Sequence, residues 1–202
     1  MVEICLNCGN YDYDKTVEES AVTCPKCSHT WDFKKLPLFI VTGASGAGKS
    51  TTLQALQQMT DELVCLESDI FYNAMPHETP EDYMAQTELL MAFSRDIMQC
   101  GKPTIWSRAG NIQMLSRAYG TRFFSDIFVL ALTVGEQELR RRMAEGRGIT
   151  DTGWIQSSLD YDRYFREHDN IEGVPYDTLE VSGLTVEEAA REVGRWALSK
   201  LS

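Results

Sequence analysis

The sequence predicts an α/β fold, a parallel five-stranded sheet with helices on both faces, preceded by a small cysteine-rich module. Three observations carry this. Short apolar runs alternate with helical stretches from residue 37 onward, a glycine-rich stretch at residues 43–50 follows the first run, and four of the six cysteines form two close pairs before residue 28. Apolar strands separated by helix-length segments favour parallel pairing, because each crossover then covers a face of the sheet.

Composition sets the outer limits. At 202 residues and 43% apolar content, the chain suits one α/β domain with a small appendage rather than two full-sized domains. No run approaches the roughly 18 apolar residues of a membrane span. The amino terminus lacks the charged, apolar, small-residue order of a secretory signal, so a cytoplasmic protein with no membrane partner is expected. A net charge of -11 repels phosphate backbones, so nucleic acid is not an expected partner.

The elements follow in order. Leu38, Phe39, Ile40 and Val41 form the apolar run of a strand buried on both faces. A helix is expected over residues 48–59, with Leu53 and Leu56 on one side, and a second strand over 63–66 that ends at Glu67 and Asp69. Thr79, Pro80 and Asp82 combine a capping hydroxyl, a proline at the first helical position and an acid at the third, opening a long helix that Gly101 stops. Residues 103–106 make the third strand, 112–119 a short helix and 127–132 the fourth strand. Residues 136–145 read as a charged helix, 146–153 as a glycine-rich stretch and 154–168 as a further helix. The fifth strand covers 178–181, and Thr185 with Glu188 caps a last helix.

The segment between the first strand and the first helix carries the chemistry. Gly43, Ala44, Ser45, Gly46, Ala47, Gly48, Lys49 and Ser50 satisfy G-x-x-x-x-G-K-[ST], the Walker A pattern of a P-loop. Its glycines let successive backbone N–H groups converge on a polyphosphate at a helix amino terminus. Residues 43–51, Thr51 included, are therefore assigned to nucleotide binding, with Lys49 neutralising the terminal phosphates and the Ser50 hydroxyl ligating magnesium. ATP and Mg2+ are the implied cofactors.

In this form the loop resembles that of gluconate-, adenylylsulfate- and uridine-kinase-like enzymes, among the P-loop kinases of small molecules and nucleotides. The resemblance follows the order of elements over residues 38–199, with a specific motif match at 43–50. It implies a P-loop NTPase-type domain over residues 37–202 that moves the γ-phosphoryl group of ATP to a small metabolite, nucleoside or nucleotide. In such kinases an acid after the second strand positions the acceptor hydroxyl or holds magnesium through water. That points to Asp69 or Glu67, unless both are ordinary solvated acids. The resemblance also implies a lid over about residues 139–154, in which Arg142 and Arg147 resemble two clamping arginines spaced one residue further apart than in several relatives. Residues 182–185 lie where such kinases pack the adenine.

The third strand departs from many P-loop proteins, since Thr104, Ile105 and Trp106 run into Ser107 and Arg108 with no terminal Asp. This weakens a motor or switch ATPase and shifts the magnesium role toward Asp69 or Glu67. Arg108, by position, could anchor an anionic substrate, and Arg117 and Arg122 could bind a phosphate or lie on the surface.

At the front, Cys5-x2-Cys8 and Cys24-x2-Cys27 have the spacing of two knuckles around one tetrahedral zinc ion. Residues 1–36 are accordingly read as a zinc-ribbon module with structural Zn2+, His29 a bystander, Trp31 and Phe33 a small packing surface, and residues 34–37 a hinge. Six acids against four lysines there favour a protein partner, self-association or a cover over the nucleotide site. The leading reading is a kinase with this ribbon attached. Its rival is a regulatory or nucleic-acid-associated P-loop ATPase whose ribbon recruits a partner.

Overall fold

The structure is a computed structural model and describes residues 2–12 and 15–201. The chain opens with a three-stranded antiparallel sheet of β1 (Thr16–Glu18), β2 (Ala21–Thr23) and β3 (Thr30–Asp32). The main body then alternates through β4 (Leu38–Thr42), α1 (Lys49–Leu56), β5 (Val64–Glu67), α2 (Asp69–Ala74), α3 (Pro80–Met98) and β6 (Thr104–Ser107). It continues with β7 (Ile127–Thr133), α4 (Glu136–Arg141), α5 (Thr152–Glu167), a small hairpin of β8 (Asn170–Ile171) and β9 (Val174–Pro175), β10 (Asp177–Glu180) and α6 (Val186–Ser199).

The central sheet has the order β10-β7-β4-β6-β5, with every pair parallel. All five residues of β4 are buried, as expected of a middle strand covered on both faces. Its alternation builds two cores. Leu38 and Ile40 join Leu90, Met91, Met98 and Trp106 on one face. Phe39 and Val41 join Leu53, Leu56, Val193 and Ala197 on the other. Helix α3 starts as its residues predict, with Thr79 accepting from the Asp82 amide and the Asp82 carboxylate from the Thr79 amide. Thr185 and Glu188 repeat this reciprocal cap on α6.

Three local expectations change. The expected helix at 112–119 is two separate 3-10 turns, Ile112–Ser116 and Tyr119–Phe123. The Glu88 carboxylate accepts from the Tyr119 and Gly120 amides, and this tertiary bond starts the second turn anew. The charged helix expected at 136–145 is α-helical only to Arg141 and widens into a π-turn over Arg142–Gly146. Helix α2, which begins at Asp69, and the β8–β9 hairpin have no strong periodic signal and were not expected.

The amino-terminal module shares the core instead of standing apart. Val2, Val22 and Phe33 belong to the same buried cluster as Leu38, Leu90 and Trp106. Residues 34–37, expected as a hinge, are anchored at both ends. The Lys34 amide donates to Gln99 Oε1 at 2.9 Å, Gln99 Nε2 returns a bond to Lys34 O at 3.0 Å, and the Ser125 amide donates to Leu36 O at 3.3 Å. Arg95 of α3 forms a largely buried ion pair with Glu3. A module this short has too few apolar side chains to close a core alone, so it borrows that of α3 and the 3-10 turns. Among the described residues, no helix is long and apolar enough to cross a membrane.

Candidate functional site

The carboxyl ends of the parallel strands open into a cleft of about 1220 Å3, where ligands of open α/β sheets collect. Residues 45–52 line it. Gly43 sits at φ +136, and a side chain there would collide with the Leu132 carbonyl, so the loop passes β7 at a distance only glycine allows. Gly46 sits at φ +87, and a Cβ on it would come within 3.0 Å of Met143 Cγ. Among the described residues, the amides of Gly46, Gly48, Lys49 and Ser50 donate to no protein acceptor, so they are available to a polyphosphate.

Lys49 is buried and spans the loop, donating through Nζ to Gly43 O at 2.8 Å and Ala44 O at 2.9 Å. Burial pushes its ammonium down to about 8, while the charges of Glu67 and Asp69 act to raise it and Arg147 lowers it further. Both acids therefore lie within electrostatic reach of Lys49, and both line the cleft. Glu67 ends β5 and Asp69 begins α2, whose first turn carries Tyr72 and Asn73 into the same cleft. The sequence reading missed these two, although an i, i+3, i+4 relation to Asp69 is the signal that α2 would have supplied.

The two arginines of the expected lid both reach the phosphate loop, in different places. Arg147 Nη1 donates to Ser45 Oγ at 2.6 Å, with its guanidinium 5.9 Å over the Trp154 ring. Arg142 is braced by Glu138 at 2.8 Å and lies toward Ala47 O at 3.4 Å and Val181 O at 3.2 Å, beside residues 182–185 that line the same cleft. Hydrogen bonds from Arg141 and Arg142 hold the Glu138 carboxyl down to about 2. Leu139, Met143 and Ile149 are buried, so this segment is rooted in the core while Gly146 and Gly148 have open space around them.

The other arginine candidates separate clearly. Arg108 follows β6 and is 6% exposed, donating to Gly110 O at 3.0 Å and Thr87 Oγ1 at 2.7 Å. Arg117 pairs with Glu172 on the surface, and Arg122 donates to Lys15 O while covering the Tyr119 and Phe123 rings. None of the three lines the cleft, although Ser107 and Ala109, on either side of Arg108, do.

The four cysteines converge as their spacing predicts. Their Sγ atoms lie within 4.8 Å of one another, with Cys5 and Cys27 at 3.6 Å and Cys8 and Cys24 at 3.8 Å. A tetrahedron with Zn–S bonds of about 2.3 Å has edges of about 3.8 Å, so this donor set is compatible with Zn2+. The His29 amide, donating to Cys27, and Asn7 Nδ2 at 3.6 Å hold the Cys27 thiol below its ordinary value, while burial and the neighbouring thiols push Cys8 up to about 11. His29 itself stacks on Trp31 at 5.9 Å, away from the ligand set.

A family model described as AAA domain matches residues 38–152, more than half of the 202-residue chain. The chain belongs to this AAA domain family. No curated protein matches. Among solved structures, the AAA domain chain is similar to a sugar kinase from Janibacter sp. (TM-score 0.59, 18% identity, covering 84% of this chain and 96% of that one). It is also similar to a shikimate kinase from Acinetobacter baumannii (TM-score 0.52, 17% identity, 82% and 94% covered). A gluconokinase from Sinorhizobium meliloti aligns at TM-score 0.51 and 19% identity, with 83% and 96% covered. At these identities the likeness establishes a shared P-loop kinase-like fold.

Proposed function

We propose that this protein is an ATP- and magnesium-dependent phosphotransferase that moves the γ-phosphoryl group to a small metabolite, nucleoside or nucleotide. The observation that carries this reading is the sharing of one cleft by the amide-rich loop with Lys49 and the carboxylates Glu67 and Asp69. The loop amides and the Lys49 ammonium would hold the triphosphate, and the Ser50 hydroxyl would ligate magnesium, which would neutralise charge on the phosphates when bound. Asp69 or Glu67 orients the acceptor hydroxyl and takes its proton as the acceptor oxygen bonds to the γ-phosphorus and the bond to the β-phosphate oxygen breaks. Arg147 stabilises the charge on the transferring group, while Arg142, beside Val181, lines the side where the base packs. The kinase names carried by structural neighbours support the reaction class. Structural zinc at Cys5, Cys8, Cys24 and Cys27 completes the reading.

An ATP-consumption screen across sugars, sugar acids, nucleosides and nucleoside monophosphates tests it, with Lys49→Ala as the control. Little hydrolysis alone, turnover with one acceptor class and its loss in Lys49→Ala are expected. Acceptor-independent hydrolysis, stimulated instead by a macromolecular partner, would replace this reading with the regulatory ATPase.

A further inference from the structure

Arg108 is a buried cation with no carboxylate partner among the described residues. In the parallel ladder Val41 pairs with Ser107, and the Arg108 amide extends the ladder to Val41 O at 2.9 Å. Thr42 and Arg108 are thus neighbours at the ends of adjacent strands, and alternation puts both on the face built by Ile40 and Trp106. Arg108 is 6% exposed, yet among the described residues it makes no ion pair with any carboxylate. Its protein bonds leave from Nε, to Gly110 O, and from Nη2, to Thr87 Oγ1 and at 3.5 Å to Asn111 O. Nη1 keeps both N–H groups without an acceptor among the described residues.

Two further groups surround it. Thr42 Oγ1 is buried, with the Tyr161 hydroxyl of α5 as its neighbour. The Tyr161 phenol also lies within electrostatic reach of Arg108, and burial pushes it up to about 12, so it remains neutral. Removing a guanidinium from water with no counter-charge is costly. Ser107 and Ala109, on either side of Arg108, line the cleft that contains Glu67 and Asp69.

We infer that the phosphoryl acceptor carries an anionic group, a carboxylate or a phosphate, held by Arg108 with Thr42 and Tyr161 at the carboxyl ends of β4 and β6. A planar guanidinium with one free end suits either oxyanion, and the two hydroxyls supply donors to its remaining oxygens. A neutral acceptor would leave the cation unmatched, which is the condition under which binding sites reject analogues most strongly.

This inference rests on the phosphotransferase reading for the word acceptor, but the anion site can be tested without nucleotide. Thermal shift is measured on Lys49→Ala protein, whose phosphate loop has lost its cation, with millimolar citrate, inorganic phosphate and glycerol as probes. Citrate or phosphate should stabilise it, glycerol should not, and adding Arg108→Gln or Thr42→Val should weaken the effective anion about 100-fold. Citrate alone active assigns a carboxylate, and phosphate alone assigns a phosphate ester. Arg108→Lys, which keeps the charge, should restore part of the shift if Arg108→Gln folds poorly. No anion-dependent shift, or one indifferent to both substitutions, overturns the inference. Failure of the unmodified protein to bind magnesium nucleotide would instead overturn the kinase reading alone. In turnover, glucose, gluconate and glucose 6-phosphate form a matched set, and a preference for the neutral member would equally overturn it.

Discussion

Arg147 Nη1 donates to Ser45 Oγ at 2.6 Å, so the segment after α4 is tied to the phosphate loop by a bond between two side chains, beside the Arg142 contact to Ala47 O. Ser45 and Arg147 are far apart in sequence, and Trp154 lies under the same guanidinium. On the proposed reading a γ-phosphate would compete with Ser45 for Arg147, because a charged acceptor binds a guanidinium more strongly than a hydroxyl does. Arg147→Ala is therefore expected to lower kcat by about 100-fold or more with little change in nucleotide affinity. Trp154 fluorescence should respond to magnesium nucleotide in the unmodified protein and not in this variant.

Lys49 sets a pH dependence whose sign is unusual for a lysine. Its folded value of about 8 lies below its ordinary value of 10.5, so the unfolded chain binds more protons between these limits. Stability should rise as pH increases from 8 toward 10.5, the cost of the buried charge being fully present below 8. Lys49→Met is expected to melt a few degrees higher than the unmodified apoprotein at neutral pH, on the order of 1–3 kcal/mol, with the gap closing at alkaline pH. Calorimetry at a series of pH values, with nucleotide affinity lost throughout in the variant, checks this.

Arg95→Met strands Glu3 in a largely buried position, whereas Glu3→Gln leaves Arg95 its second partner, Asp96. Arg95→Met alone should cost about 3–5 kcal/mol in urea unfolding, Glu3→Gln less, and the double substitution distinctly less than the sum. Because Val2, Val22 and Phe33 share a core with Leu38 and Trp106, one cooperative transition is expected for both parts of the chain.

Purified protein should contain one zinc per chain by elemental analysis, and Cys24→Ser should lose it. Chelation is expected to lower the melting temperature of the whole chain and to loosen the contact of Lys34 with Gln99, read as faster amide exchange at residue 34. Unchanged exchange there after metal loss would uncouple the ribbon from α3.

Gly43→Ala places a methyl group against the Leu132 carbonyl at φ +136. It should abolish nucleotide binding and lower stability by several kcal/mol, whereas Gly146→Ala, in open space, should do neither. Calorimetric titration with magnesium nucleotide on both variants provides the measurement.

Much of the fold was legible because its signals are local. The apolar run Leu38 to Val41, the capping pairs Thr79 with Asp82 and Thr185 with Glu188, and the phosphate-loop motif each act within a few residues, and each appears where the sequence predicts. The cysteine cluster was legible for the same reason, since ligand spacing encodes a knuckle. The 3-10 breaks at 112–123 were not, because Glu88, on a distant helix, supplies the bonds that create them.

The sequence alone determined where a polyphosphate can bind and where a tetrahedral thiolate site can form, since both follow from backbone conformation and short spacings. The tertiary structure decided what lies around those sites. It turned an expected hinge into a docked contact through Gln99, and it brought Tyr72 and Asn73 beside Asp69. It also left Arg108 buried beside Thr42 and Tyr161, with no carboxylate among the described residues to meet it. Charge pairing and burial depend on groups remote in sequence, and no periodicity or motif carries that information.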